Sequence, residues 1–393
     1  MIPSRIHSAD EQSLGRAARY DIPLLASVGI LLLVSLILVM SSSSAIAYAR
    51  DGHTLSIFFQ HFVRVLAGIG FMAALTFFDY HRLGKLVSPL FLVTLILLVL
   101  VLFWPLKTGA TSHRQLYWGS MAMQPAELAK FALVLFLAYH FSLPRSEPAR
   151  RSFDTAFTRA IAATALVVGL ILLETNVSMA VLILVSAMVM FFLSGVSAKI
   201  LSLTAVVSAL AIIITILLVP YTQARLSDFA SGLLHPSQAC FHTRQSIIGL
   251  GKGGLWGSGL GQSTWAHFRL PIPYKDSIFC ILGEELGFIG CVGLTLLFSI
   301  LLSRGVRIAK NAPDLFGYYL AYGLLIVIAC TFMINVGVAV GLLPPTGQPL
   351  PFVSYGGSSL VVSLASVGIL LNIHRQGAVL AECRARPHDD ECT

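Results

Sequence analysis

Apolar runs of about twenty residues recur along this chain, each closed by a short polar break. They fall at 22–45, 56–78, 86–104, 124–143, 159–173, 177–195, 199–219, 277–302, 316–342 and 355–373. A helix of about 20 apolar residues crosses the hydrocarbon core of a bilayer. The pattern predicts an all-α, polytopic membrane protein with ten transmembrane helices and both ends on one side. The fifth run is short, and Glu174 and Asn176 separate it from the sixth, which suggests an exposed turn there. The longest polar interval, 220–275, predicts a large loop between the seventh and eighth helices. Residues 1–21 read as a polar leader without a cleavable signal peptide, 22–374 as one membrane domain, and 375–393 as a tail.

Composition and charge sharpen this picture. The chain is 56% hydrophobic and 11% charged, whereas soluble domains carry about 25% charged residues. The net charge of +8 does not call for nucleic acid, because Lys and Arg gather in particular loops. With the N-terminus in the cytoplasm, Arg5, Arg16, Arg19, Arg82, Lys85, Arg145, Arg150, Arg151, Arg159, Lys199, Arg304, Arg307, Lys310, Arg375, Arg384 and Arg386 fall on the cytoplasmic side, against Arg50, Lys107, Arg114 and the large-loop cations on the other. The positive-inside rule therefore places both termini there. The large loop is then extracytoplasmic, and it is basic through Arg225, Arg244, Lys252, Arg269 and Lys275. A cationic surface at headgroup level suits an anionic, lipid-linked substrate. No GxxxxGK[ST] loop occurs, and Cys240, Cys280, Cys291, Cys330, Cys383 and Cys392 form no CxxC pair. Nucleotide binding, a metal centre and a disulfide framework are not expected.

Four stretches carry candidate chemistry. The run GLGKGGLWGSGLGQS, Gly249 to Ser263, can either present backbone N–H groups to a diphosphate or pack closely as an interfacial loop. Asp276 stands where the chain re-enters the membrane; it is either a functional acid or a helix N-cap. In QPAELAK, Gln124 to Lys130, Glu127 and Lys130 share a helix face and can pair, stabilising the bundle or lining a substrate groove. Glu284 and Glu285 are adjacent, so they cannot face one direction, and at least one needs a partner or a proton. Asn335 and Arg64 read as interhelical hydrogen-bonding groups. The last loop, Leu343 to Leu360, has four prolines within 344–351 and no charge. Its apolar character predicts a re-entrant segment buried against the bundle.

The run PPTGQPLPFVSYGGSSL (344–360) resembles the C-terminal signature of the SEDS family (shape, elongation, division, sporulation), the group of FtsW, RodA and SpoVE. QPAELAK, RQSIIGLGKGGLWGSGLGQS (244–263) and LPIPYKDSIFCILGEELGFIG (270–290) are similar to further motifs of that family, so the likeness covers nearly the whole chain after the leader. The resemblance implies a peptidoglycan glycosyltransferase that polymerises lipid II on the outer face of the bacterial cytoplasmic membrane. It implies a class B penicillin-binding transpeptidase as partner, and other divisome proteins around it at the septum. The span ending VMSSSSAIAYA and the GLLPPTGQPLPFVSYGGSS form look more like the division type than the elongation type.

Carried over residue by residue, the likeness makes Asp276 the catalytic aspartate. It matches Arg114, Glu127 and Lys130 to family positions; with Lys252, Arg269, Lys275, Ser354, Gly356 and Gly357 these are the candidate substrate-binding residues. A divalent cation, Mg or Mn, is compatible with it, without a dedicated protein cage. The chain departs from the family pattern at Gln115, where tryptophan is usual. It departs again at Glu174-Thr175-Asn176-Val177-Ser178, where Gln-Pro-Asp-Leu-Gly is usual, and in the lead-in to Arg244. Two other functions are open on the residues alone: a flippase for a lipid-linked precursor, or a scaffold that recruits a transpeptidase.

Overall fold

The structure is a computed structural model, and it describes residues 20–105, 114–118, 121–143, 149–234, 241–263 and 273–385. Lys107 and Arg269 lie outside the described residues. The helices are α1 (Ile22–Asp51), α2 (Ser56–Phe77), α3 (Tyr80–Phe103), α4 (Pro125–Ser142), α5 (Ala149–Leu173), α6 (Val177–Leu193) and α7 (Ala198–Leu218). Within the large loop come α8 (Pro220–Leu234), α9 (Phe241–Gly253) and α10 (Pro273–Asp276). The chain closes with α11 (Ile278–Lys310), α12 (Leu315–Ala339) and α13 (Gly357–Ala385). A two-stranded antiparallel ribbon, β1 (Leu116–Trp118) and β2 (Met121–Met123), precedes α4.

Each apolar run of the sequence contains one long helix. Eight of the described helices are long and apolar enough to cross a membrane. The other two long ones are α6, which is shorter, and α4, which opens with Glu127 and Lys130. This is a multi-pass membrane protein. Several helices outrun their apolar stretch. α1 continues through the serines 41–44 to a left-handed cap at Gly52, and α13 runs to Ala385, because no proline or glycine pair stops it before Pro387. α5 begins at Ala149, so the short fifth run is only the apolar part of a full-length helix. The large loop is helical in three places, where the sequence suggested turns.

The core draws on α4, α6, α12 and α13 with the inner faces of α1, α2, α3, α5 and α11. α13 packs most extensively on α2, and α4 lies between α3 and α12. α7 buries none of its residues. At the end of the bundle that holds the start of α1, Asp21 caps α1 by accepting from the Leu24 N–H at 3.0 Å, and it also accepts from Arg304 Nη2 at 2.7 Å. That single carboxylate ties the start of α1 to the far end of α11. Nearby, Asn372 on α13 donates to Thr76 O (2.8 Å) and accepts from the Tyr80 N–H (3.1 Å), stitching the α2–α3 turn to the last helix.

α11 is broken at Gly287, whose backbone (φ 69°, ψ −164°) is not helical. The break strands peptide groups in an apolar setting, and the glycine-rich run takes them up. Ser258 and Gly259 N–H donate to Glu284 O (2.9 Å) and Glu285 O (3.1 Å), while Phe288 N–H donates to Gly254 O (2.8 Å). The approach is so close that a Cβ on Gly257 would lie 2.1 Å from Glu285 O. Only glycine permits it. These N–H groups are therefore spent inside the protein and do not form a diphosphate cradle, and the close-packed reading of this loop is the one that holds.

Candidate active site

The start of α11, the end of α12 and the start of α13 meet at the segment 344–356. Leu350, Phe352 and Val353 are fully buried there, and Gln348 and Ser354 nearly so. Asn335 near the end of α12 organises the meeting. Its Nδ2 donates to Gln348 O at 2.8 Å and to Asp276 O at 3.3 Å, joining the segment to the start of α11. Asp276 ends α10, and the N-cap of α11 is Ser277, so Asp276 does not cap that helix. Its carboxylate turns instead to the segment: a Cβ placed on Gly347 would lie 3.5 Å from Asp276 Oδ2. Gly347 has φ +68°, so glycine both turns the chain and clears space in front of the acid.

The other side of the same segment faces a cationic pocket. Arg225 on α8 donates through Nη2 to Pro345 O. Arg114 donates through Nη2 to Thr175 O at 2.6 Å. Both arginines line a pocket of about 90 Å³ with Asn176, Ser178, Thr222 and Pro344. Two residues of chain separate Pro345 from Gly347, which spans at most about 7 Å of backbone. The arginine pocket and Asp276 are thus neighbours across one loop. Beyond Asp276, an apolar groove of about 460 Å³ opens along α11, lined among others by Phe279, Gly283, Phe288 and Val292.

The buried acids of the bundle are mostly matched. Glu127 and Lys130 pair at 2.9 Å with both side chains almost wholly buried. Glu284 meets Lys252 at 3.5 Å and Ser263 Oγ, while Glu285 accepts from Ser41 Oγ on α1. The two acids diverge to different partners, as adjacent positions on a helix must.

The FtsW/RodA/SpoVE family, described as cell cycle protein, matches residues 23–378. This chain belongs to that family. It is 36% identical over 363 residues to a probable peptidoglycan glycosyltransferase FtsW of Geobacter sp. (strain M18), covering 91% of this chain and 97% of the relative. It is 37% identical over 361 residues to stage V sporulation protein E of Bacillus subtilis (strain 168), covering 90% and 97%. Among solved structures it resembles a chain described under the structural coordination of polymerization and crosslinking by a peptidoglycan synthase complex (TM-score 0.73, 28% identity, 91% and 98% covered). It also resembles the rod shape determining protein RodA of Thermus thermophilus (TM-score 0.66, 27% identity, 91% and 97% covered).

Within this FtsW/RodA/SpoVE member, the residues singled out by sequence are spread over distinct settings. Asp276, with Lys275 beside it, fronts the re-entrant segment. Arg114 lines the arginine pocket. Lys130 and Lys252 each neutralise a buried acid. Ser354 Oγ accepts from the Leu350 N–H at 2.9 Å and is 2% exposed, so its hydroxyl serves the loop itself. Gly356 packs closely on the segment, where a Cβ would lie 3.3 Å from Pro349 Cβ, whereas a Cβ on Gly357 would make only ordinary contact with the Arg64 side chain at 3.4 Å. Arg225 was one loop cation among several, and only its bond to Pro345 marks it out.

The turn between α5 and α6 is a correction. Glu174 and Asn176 are buried, not exposed, because Arg114 and the arginine pocket cover them. Thr175 between them has φ 58°, a left-handed conformation rare for a β-branched residue. Both Glu174 carboxyl oxygens are buried without a hydrogen-bond partner. Burial pushes its pKa up from 4.5 to about 8, against the pull of Arg114. The carboxyl is held largely neutral at pH 7.

Proposed function

We propose that this protein is a peptidoglycan glycosyltransferase that polymerises lipid II into glycan strands at the outer face of the cytoplasmic membrane, in septal wall synthesis. One observation carries the reading: a single carboxylate, Asp276, stands at the outer end of the bundle across one loop from an arginine-lined pocket. Relatives named for this activity support it.

Lipid II holds its sugar to a diphosphate through an α bond, and the polymer link is β. One in-line displacement inverts the centre, which needs one base and no covalent intermediate. Asp276 takes the proton of the acceptor 4-hydroxyl as the oxygen attacks the anomeric carbon. The bond to the diphosphate breaks, and the departing charge is met by Arg114 and Arg225, with Lys275 nearby. Lys130 and Lys252, already paired, contribute by orienting Glu127 and Glu284. The groove along α11 takes a polyprenyl chain, with the headgroup at Asp276.

Among the described residues no three His, Cys, Asp or Glu side chains cluster as a metal cage. Asp276 offers one hard oxygen ligand, which fits Mg²⁺ or Mn²⁺ sharing substrate oxygens and water. Such an ion would supply charge neutralisation at the diphosphate. A class B penicillin-binding transpeptidase is the proposed partner, with other divisome proteins, and both termini are cytoplasmic.

The test is polymerisation of labelled lipid II by the purified protein with its transpeptidase, comparing wild type and Asp276→Asn. Polymer from wild type alone, at equal abundance and fold, is the expected result. Wild-type activity in Asp276→Asn would sink the assignment, and movement of lipid II across liposomes without polymer would favour a flippase.

A further inference from the structure

The wall in front of Asp276 is not self-supporting. Phe352, within the re-entrant segment, has φ 63°, a conformation that a bulky residue keeps only when its surroundings enforce it. Its ring is locked beside Phe298, 6.2 Å between centroids. The next carbonyl, Val353 O, is held by a side chain 318 positions away: Ser35 Oγ of α1 donates to it at 2.7 Å. Ser35 Oγ also lies 2.7 Å from His61 Nε2 of α2. A hydroxyl has one proton. Ser35 gives it to Val353, so the imidazole is the donor, through Nε2–H, and its lone pair sits on Nδ1.

His61 is fully buried, and its Nδ1 has no hydrogen-bond partner. An imidazole half-satisfied in an apolar bundle is costly, and helix packing alone would be better served by leucine. What the ring gains is its grip on the segment. Its ring lies beside Tyr355, tilted by 37° with 5.6 Å between centroids, and Arg64 covers the same tyrosine at 4.5 Å. Tyr355 Oη donates to Gln60 Oε1 at 2.9 Å. One short stretch of α2, with Ser35, therefore holds residues 353–355, while Asn335 holds Gln348 at the other end of the turn.

We propose that Ser35 and His61 are positioning residues for glycosyl transfer. The chain His61 Nε2–H to Ser35 Oγ–H to Val353 O fixes the re-entrant segment, and through it the placing of Gly347 against Asp276. No proton passes along it during the reaction. The proposal rests on the reading of Asp276 as the base.

The experiment uses the full-length protein with its transpeptidase and labelled lipid II. It compares wild type, Ser35→Ala, His61→Leu, His61→Gln and Asp276→Asn, and measures amide hydrogen exchange of 347–355 in nanodiscs alongside. His61→Leu and Ser35→Ala are expected to lower kcat at least about tenfold, within the roughly hundredfold that a misplacement of about 1 Å costs. KM should stay within about threefold, as for loss of a transition-state placement. Exchange of 347–355 should rise, and His61→Gln, whose amide can donate to Ser35, should restore both readouts. Wild-type kcat in His61→Leu and Ser35→Ala, or unchanged exchange of 347–355 in both, overturns the proposal. So does a His61→Gln variant as impaired as His61→Leu. Should His61→Leu fail to fold, Ser35→Ala decides by the same two readouts. Activity in Asp276→Asn would remove the base assignment separately, and the exchange data would still decide whether the pair holds the segment.

Discussion

Replacing Glu174 with glutamine should stabilise this protein, and more so as pH rises. Burial lifts its pKa from 4.5 to about 8, so the folded protein keeps a proton that the unfolded chain releases. Between those values the folded state binds more protons than the unfolded one, and stability falls with rising pH. Each unit costs about 1.4 kcal/mol, which amounts to about 3 kcal/mol at pH 7 and levels off above the folded pKa. Glutamine keeps the shape without the ionisation. Thermal unfolding in nanodiscs from pH 5 to 8.5 is the assay. The wild-type midpoint should decline across this range relative to Glu174→Gln, the two should converge near pH 5, and the variant should lead at pH 8. A gap that does not grow with pH, or a variant less stable at pH 8, would refute the argument that burial dominates over Arg114.

Two further expectations concern packing. Lys130→Met leaves Glu127 buried without its counter-charge and should cost about 3 kcal/mol or more; adding Glu127→Gln should recover most of the lost unfolding midpoint, and an additive double variant would show that the pair is not coupled. Gly287→Ala forces a Cβ to 2.4 Å from Gly257 N in a conformation nearly reserved for glycine, so it should cost at least about 2 kcal/mol and expose 254–259 to protease. Gly293→Ala, with open space around its Cβ, is the control that should leave both readouts unchanged.

How much of this was legible in the sequence follows from what a bilayer demands. Lipid requires long apolar runs, so the ten segments and their breaks stand out, and an uncharged proline-rich loop can only be buried. The adjacent acids Glu284 and Glu285 announce partners for the same reason. Hydropathy is blind to short helices of mixed polarity, so α8 and α9 read as loop. It also cannot tell a covered turn from an open one: Glu174 is buried by Arg114, 60 positions earlier, and by a pocket built from α8. Ser35 and His61 give no local signal, because the carbonyl they hold lies near the other end of the chain. The glycine-rich run illustrates a different limit. Its composition fits a cradle for an anion or a backbone contact, and only the break at Gly287 decides between them.

That break also has a place in the order of synthesis. Gly287 lies nine residues into α11, about 14 Å along its axis, where bare peptide groups cost several kcal/mol each in lipid. The carbonyl that receives the Phe288 N–H belongs to Gly254, which is translated before α11 exists. The helix is therefore completed on a template that has already been made. A lesion in the glycine-rich turn would be felt as a failure of insertion, in a span whose own sequence is intact.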